Sequence, residues 1–289
     1  MPIAGLQPGF QFTPMLIGLG GLTFGAVDEA GVHWHCATID GWESPDVRTT
    51  LTEREADHGA WAGPVYLQER VITLAGKAVC PDYASTYGAI EQIKAAASLT
   101  DTLLTVYETV ARQATVRRSG KVLAQRLTDR VVDWSIQVTA PDPRLYAVGE
   151  SSTVLSLPAV SGGLTFPISF PISFSATVSV SDTTITNDGS IETRPVITIA
   201  GPVSQPQIIV TGPDGTTAAL LYSGDIAAGD TLVLDTDAKS VLYNGVANRR
   251  ALLTGQWPTL APGSSGVAFR AGAPSPTATC TITYRSAWM

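Results

Sequence analysis

Short runs of alternating apolar and polar residues, separated by turn-forming residues, recur throughout the second half of the chain. The candidate strands span residues 194–199, 207–211, 218–222, 231–235, 240–243, 266–269 and 277–284. Clusters of Asn, Asp, Gly and Pro lie between them, as in Pro213-Asp214-Gly215 and Asn244-Gly245. Regularly spaced short strands of this kind are typical of an antiparallel β-sandwich. The pattern therefore predicts such a sandwich, galectin-like or jelly-roll-like, for the second half.

The composition agrees with a mainly β fold. Hydrophobic residues make up 44% and charged residues 15% of the 289 residues, which argues against a disordered chain. The 27 Gly and 19 Pro residues favour short strands joined by many turns. The length predicts two domains, 1–146 and 147–289, and Pro141-Asp142-Pro143 closes the first of them.

The first domain is predicted to be a β-sandwich or split-barrel-like unit. Residues 21–26 and 32–39 are expected to pair as a hairpin, and 65–80 to form a long strand with Gly76 as a candidate break. Further strands are expected at 101–110, 113–118, 121–126 and 130–139, with Ser119-Gly120 as a tight hairpin turn.

One helix is predicted in this domain, at 82–98, with Asp82 as its N-cap. Its apolar stripe is expected along one face, at Tyr83, Tyr87, Ile90, Ile93, Lys94 and Ala97.

The segment 41–64, GWESPDVRTTLTEREADHGAWAGP, has neither strand alternation nor an apolar helical stripe. It is therefore predicted to be an irregular loop. A loop of this length within a domain is unusual and is commonly functional.

Charge and hydropathy exclude several function classes. The net charge is −7 and the chain lacks a dense basic cluster, which argues against specific nucleic-acid binding. No stretch reaches the roughly 18 apolar residues that a membrane-spanning helix needs. Residues 15–24 are apolar but lack a basic n-region, so no export signal is expected. The odd number of cysteines, Cys36, Cys80 and Cys280, predicts free thiols.

No catalytic, cofactor-binding or metal site is predicted. The glycine-rich stretch 18–25 is followed by a strand pattern, whereas a phosphate-binding loop opens a helix. His33 and His35 share one strand face, but Cys36 points to the other, which disfavours a zinc site. His58 has no accompanying nucleophile motif. Two alternatives remain open: a glycosidase using acidic residues of 40–57, and a carbohydrate-binding sandwich with Trp257 as its exposed platform.

Several segments in their observed order resemble the distal tail protein family of long-tailed, non-contractile bacteriophages. Within 22–146 they are IDGWESPDVR, DHGAWAG and ERVITLAGKAV, then the single helix, then DWSIQVTAPDPRLY. In the second half, FPISFP, NDGSIETRPVITIAGP, LDTDAKSV and YRSAW resemble the C-terminal domain of minor tail proteins of actinobacterial phages.

The resemblance implies a non-enzymatic structural protein of the virion, at the tail tip. It implies a ring of six copies through which DNA leaves, in contact with the tail tube protein and a tail-tip hub protein. It also implies that the loop 41–64 is a belt packing on the neighbouring copy, while the C-terminal domain faces outward. Membrane insertion is not expected.

Two blocks of opposite charge indicate which surface of the neighbouring copy the belt would contact. Residues 40–57 contain six acidic residues against Arg48 and Arg54, a net charge of −4. Residues 112–130 contain six basic residues against Asp129, a net charge of +5. A ring contact joins two different surfaces, and opposite charges would fix its register. The predicted contact residues are Glu53, Glu55, Asp57, His58 and Trp61 on the belt, and Arg117, Arg118 and Lys121 on the receiving surface.

Overall fold

The computed structural model describes residues 15–157, 182–273 and 275–289, and the backbone of 160–161 and 177–178. The chain divides into two compact units, Met1–Val148 and Gly149–Trp288. The FPISFPISF segment lies outside the described residues. No helix in the described ranges is long and apolar enough to cross a membrane.

The first unit is built mainly from antiparallel strands with one helix. Its elements are β1 (Leu16–Leu19), β2 (Leu22–Phe24), β3 (His33–Asp40), β4 (Val47–Arg48), β5 (Leu51–Glu53), β6 (Ala60–Ala62), β7 (Tyr66–Leu67), β8 (Arg70–Val79), α1 (Ser85–Ala96), β9 (Thr102–Tyr107), β10 (Arg112–Arg118), β11 (Leu123–Arg126), β12 (Val131–Ala140) and β13 (Leu145–Ala147).

The main sheet of this unit has the order β2-β1-β9-β10-β12-β8-β3. Arg117 and Arg118 of β10 pair with Thr139 and Val138 of β12, and this short ladder joins its two halves. The longest ladder joins β12 to β8 over ten residue pairs. A sheet whose halves are joined by so short a ladder agrees with the split-barrel-like prediction.

Aromatic side chains fill the core of the first unit. Phe24 stacks on Trp134 at a ring-centroid distance of 4.3 Å and meets Trp34 edge-on at 6.2 Å. Trp34 also donates from its indole nitrogen to a carboxylate oxygen of Asp28 at 3.0 Å. Burial of these large rings supplies much of the hydrophobic stabilisation of this unit.

Of two predicted pairings within the first unit, the hairpin of 21–26 with 32–39 is found only near its turn, and the second is wrong. Residues 25–27 join residues 32–34 through the bridge between Val27 and His33 and the bonds beside it. Residues 22–24 instead pair with Leu16–Leu19 around Gly20-Gly21. Both glycines of that turn have positive φ, 56° and 87°, which favours glycine. Ser119-Gly120 is not a hairpin turn, because β10 and β11 pair successively along the same edge of β12.

The predicted long strand 65–80 forms two strands, β7 and β8, and the break between them is not at Gly76. Residues 70–79 form one uninterrupted strand, and Gly76 does not break it. Gly76 lies opposite Cys36, next to a bulge in β3. A Cβ at this position would lie 1.9 Å from the carbonyl oxygen of His35. The glycine therefore permits close backbone approach beside the bulge.

The helix is shorter than predicted, and only Ile93 and Ala97 of the predicted stripe are buried. The carboxylate of Asp82 accepts the backbone N–H of Ser85 at 2.8 Å, and this bonding lowers the pKa of Asp82. The residue preceding the helix itself makes no side-chain cap. The buried face consists of Thr86, Ala89, Ile93 and Ala96. Tyr83 and Tyr87 are exposed instead and enclose the guanidinium of Arg126, at 4.5 and 4.4 Å from their ring centroids.

The elements of the second unit are almost all strands. They are β14 (Ser151–Ser156), β15 (Val160–Ser161), β16 (Thr177–Val178), β17 (Asp182–Asn187), β18 (Val196–Ala200), β19 (Val203–Ser204), β20 (Gln207–Thr211), β21 (Thr217–Tyr222), β22 (Asp225–Ile226), β23 (Thr231–Asp235), β24 (Ser240–Tyr243), β25 (Ala247–Asn248), a 3-10 turn (Arg250–Leu252), β26 (Leu253–Gly255), β27 (Gly263–Arg270), β28 (Thr279–Tyr284) and β29 (Ala287–Trp288).

Two large antiparallel sheets form the body of this unit, and β15-β16 and β19-β22 are separate two-stranded sheets. One has the order β14-β28-β18-β23-β24-β25 and the other β17-β27-β20-β21-β26. Alternate residues of both sheets, such as Ile197, Leu234, Val210 and Phe269, form one hydrophobic core. The predicted antiparallel β-sandwich is confirmed.

A buried arginine, Arg70, links the chain segments that precede and follow residues 43–69. Arg70 has no exposed surface, and its Nε donates to the carbonyl of Pro143 at 2.8 Å. Its Nη1 donates to the carbonyls of Trp42 and Gly41, at 2.5 and 3.3 Å. Burial lowers the pKa of Arg70, and the carboxylates of Glu43 and Asp142 oppose this shift. The guanidinium nevertheless remains charged because its unperturbed pKa is so high.

We expect Arg70→Met to destabilise the first unit by about 3 kcal/mol, because hydrogen bonds to a charged donor are worth about 1.5–3 kcal/mol and buried acceptors lose them. Chemical unfolding of the full chain, followed by fluorescence of the buried Trp34, Trp42 and Trp134, measures the change. Arg70→Lys keeps the charge but not the planar fork, so its loss should be intermediate. Equal stability of all three proteins would contradict the anchoring role.

Two glycines allow a matched test of backbone approach. Gly76→Ala should destabilise the chain by about 1–3 kcal/mol, because its methyl group would collide with the backbone of β3. Gly88→Ala should stabilise it by about 0.5–1 kcal/mol, because alanine favours the helix and a Cβ there meets nothing within 4 Å. The same unfolding assay compares them, and a stabilising Gly76→Ala would refute the close approach.

Candidate functional site

Residues 46–68, hereafter the arm, form a two-stranded antiparallel hairpin rather than the predicted irregular loop. Near its base, β4 pairs with β7, and further out β5 pairs with β6. Leu51 lies opposite Ala62, and Glu53 lies opposite Ala60. The sequence pattern did not predict these strands, because apolar and polar residues alternate regularly only in strands with one buried face.

The two ladders of the arm are separated by a bulge. Gly63 donates its N–H to the carbonyl of Thr50 at 2.9 Å, and Gln68 donates to that of Asp46 at 2.8 Å. Between these bonds, Pro64 and the residue after it lie opposite a single residue of the first strand. Proline has no N–H to donate, which fits a bulge position.

Both faces of the arm carry exposed apolar side chains. The exposed fractions are 53% for Val47, 64% for Leu51, 65% for Trp61 and 55% for Tyr66. An isolated two-stranded hairpin is marginally stable in water. An arm of this composition is therefore suited to packing against another surface.

The acidic residues predicted as contacts lie at or near the tip of the arm. Glu53, Glu55, Asp57 and His58 are all exposed. Asp57 also forms an ion pair with Arg54 at 3.4 Å and accepts the backbone N–H of His58. This pair reduces the negative charge that the tip offers to a partner.

The structure brings Arg117, Arg118 and Lys121 together around the connection between β10 and β11, but not as one free patch. Arg117 forms an ion pair with Asp101 at 2.7 Å, and Arg118 donates from Nε to the carbonyl of Gly120 at 2.8 Å. Successive strand residues point to opposite faces. Lys121 is exposed and is the most available cation of the three.

The other candidate residues do not converge on a chemical site. His33 and His35 are exposed, and no group of three metal-binding side chains occurs in the part of the chain that the structure describes. Burial raises the pKa of the Cys36 thiol and raises that of Cys280 to about 12, which keeps both thiols protonated. The three cysteines are free.

The carbohydrate-binding alternative would use Trp257 as an exposed aromatic platform. Its ring is half-buried and packs against the hydrophobic core of the second unit. The guanidinium of Arg250 lies 5.2 Å from its ring centroid. Core packing and this cation–π contact occupy a surface that a sugar ring would need.

Comparison with protein families matches residues 188–288 to the siphovirus-type tail component, C-terminal domain. The fold is similar to that of the Dit protein (gp 19.1) of phage SPP1, known from a crystal structure. That protein is described as a paradigm of hub adsorption apparatus in phages that infect Gram-positive bacteria. The TM-score is 0.64 at 12% identity, over 95% of this chain and 99% of that chain.

Phage P2 baseplate structures in the activated conformation, with calcium and with strontium, have TM-scores of 0.48 at 11% identity. They cover 93% of this chain and 97% of the matched chain. No curated protein sequence matches the chain.

The domain match and the shared fold confirm the resemblance that the sequence motifs carry. The match falls on the predicted C-terminal sandwich, and the likeness to SPP1 Dit extends over nearly the whole chain. Residues 188–288 thus match the siphovirus-type tail component, C-terminal domain, and nearly the whole chain shares the fold of SPP1 Dit.

Proposed function

We propose that copies of this chain assemble into a ring, a hexamer, that joins the tail tube to the tip of a phage tail and lets DNA pass. The observation that carries the proposal is the arm, which projects with apolar side chains open on both faces. Support also comes from the fold shared with SPP1 Dit, which is described as a paradigm of hub adsorption apparatus. No enzymatic role is proposed.

The arm is suited to a contact between copies. A closed ring requires a heterologous contact, in which one surface of a copy meets a different surface of the next. A projecting hairpin and a separate receiving surface meet this requirement. The anchoring by Arg70 fixes the base of the arm to the first unit, so docking of the arm would position the whole unit. The neighbouring partners would be the tail tube protein and the tail-tip hub protein.

Charge supports a specific register for this contact. Glu53, Glu55 and Asp57 of the arm would face the basic connection that contains Arg118 and Lys121. Because Arg117 already pairs with Asp101 at 2.7 Å, its charge contributes less than the sequence suggested. A carbohydrate-binding role has weaker support, since Trp257 is half-buried against the core.

The ring should be found in purified tails. We expect native mass spectrometry of released tail tips, together with electron microscopy, to show six copies in one closed ring. The isolated chain is a separate test, because ring closure can depend on the tail tube. A single copy in each tail tip would contradict the proposal.

Reversing the acidic charges should weaken ring assembly. Exposed ion pairs contribute only about 0.2–1 kcal/mol each, so we expect the triple variant Glu53→Lys, Glu55→Lys, Asp57→Lys to lose assembly where single variants keep it. The loss should be larger at low salt, because screening acts over about 10 Å at 0.1 M ionic strength. Circular dichroism checks that the variant remains folded.

A compensating change tests whether these charges face each other. Adding Arg118→Glu and Lys121→Glu to the triple variant should restore part of the assembly, and Arg117 is left intact because it pairs with Asp101. Complete absence of rescue in a folded protein, or normal assembly of the triple variant at low salt, would refute the charge register.

A further inference from the structure

The two faces of the arm have different chemistry. On one face, the guanidinium of Arg48 lies 5.7 Å from the ring centroid of Tyr66, and that of Arg54 lies 4.4 Å from the ring centroid of Trp61. We call this the arginine–aromatic face. The opposite face, the aliphatic face, contains Val47, Leu51, Glu53, Ala60, Ala62 and Leu67.

We infer that the aliphatic face is the surface that seats on a second copy of this chain, with the arginine–aromatic face turned away from it. This inference rests on the proposed ring and names the part of the arm that makes its contact. It also changes the role of Trp61, which the sequence predicted as a contact residue. Trp61 instead stiffens the arm through its contact with Arg54.

The first argument compares the contacts that each face already makes within the arm. Each aromatic ring of the arginine–aromatic face is partly covered by a guanidinium, and such contacts stabilise exposed sites. Val47 and Leu51 are 53% and 64% exposed, about as much as Tyr66 and Trp61 at 55% and 65%, so the two faces differ in their cation–π contacts rather than in exposure. Covering Val47 and Leu51 removes apolar surface from water without breaking any contact already made in the arm.

The second argument concerns charge. Glu53 lies on the aliphatic face, in line with Leu51, whereas Arg48 and Arg54 lie on the other. The proposed receiving surface contains Arg118 and Lys121. Docking by the aliphatic face would bring a carboxylate to these cations. Docking by the arginine–aromatic face would place like charges opposite each other, which disfavours association.

Two neighbouring residues allow a matched experiment. Leu51 and Thr52 are consecutive in β5, both are exposed, and their side chains point to opposite faces. Leu51→Gln and Thr52→Gln place the same uncharged polar side chain on opposite faces of one strand, so neither variant changes the charge of the contact. Both full-length variants are introduced into phage tails, with Leu51→Ile as a conservative control, and ring occupancy is measured by native mass spectrometry.

We expect Leu51→Gln to lower ring occupancy at least tenfold, while Thr52→Gln and Leu51→Ile keep the parental value. Circular dichroism and limited proteolysis of the isolated variants test whether the arm folds equally in both. Equal losses for the two glutamine variants, or parental occupancy for Leu51→Gln, would overturn the assignment of the face. Absence of rings from parental tails would instead refute the proposed function, so the two failures are distinguishable.

Discussion

The buried guanidinium of Arg70 is the interaction on which the position of the arm depends. It binds backbone carbonyls just before the arm and at the end of the first unit, while its own backbone lies just after the arm. Burying an arginine without a directly bonded carboxylate is costly, and here backbone oxygens compensate for lost hydration. The result is a fixed base for a segment that otherwise makes few contacts with its own domain.

The arm itself has little stability of its own. Its ladders are two and three residue pairs long, and a bulge at Pro64 separates them. Two cation–π contacts and one exposed ion pair add small contributions. Association would therefore order the arm further, and part of the binding free energy would be used for that ordering. Anchoring by Arg70 reduces this cost because the base is already fixed.

The sequence predicted elements well where local signals agreed. Strands 207–211, 231–235 and 240–243 were predicted with their observed bounds, because alternation and turn residues point to the same ends. Residues 151–156, 182–187 and 253–255 form strands that the patterns missed. Thr and Ser are abundant in the first two, so their apolar alternation is weak.

Contacts between residues that are far apart in the sequence were harder to predict. Pairing of residues 22–24 with β1 rather than β3 is decided by tertiary packing, which a local pattern does not contain. The strands of the arm were missed because neither face is buried among the residues that the structure describes. The half-burial of Trp257 likewise depends on the core across the sandwich. The charge blocks were visible in the sequence, but the internal pairing of Arg117 with Asp101 was not.

Hydrogen exchange of the arm, compared between the isolated chain and intact tails, tests the central claim most directly. If the arm is the contact between copies, amides of residues 46–68 should exchange rapidly in the isolated chain and become protected in tails. Amides of the central sandwich strand Val196–Ala200 should be protected in both and serve as the internal reference. Equally rapid exchange of the arm in intact tails would contradict the account.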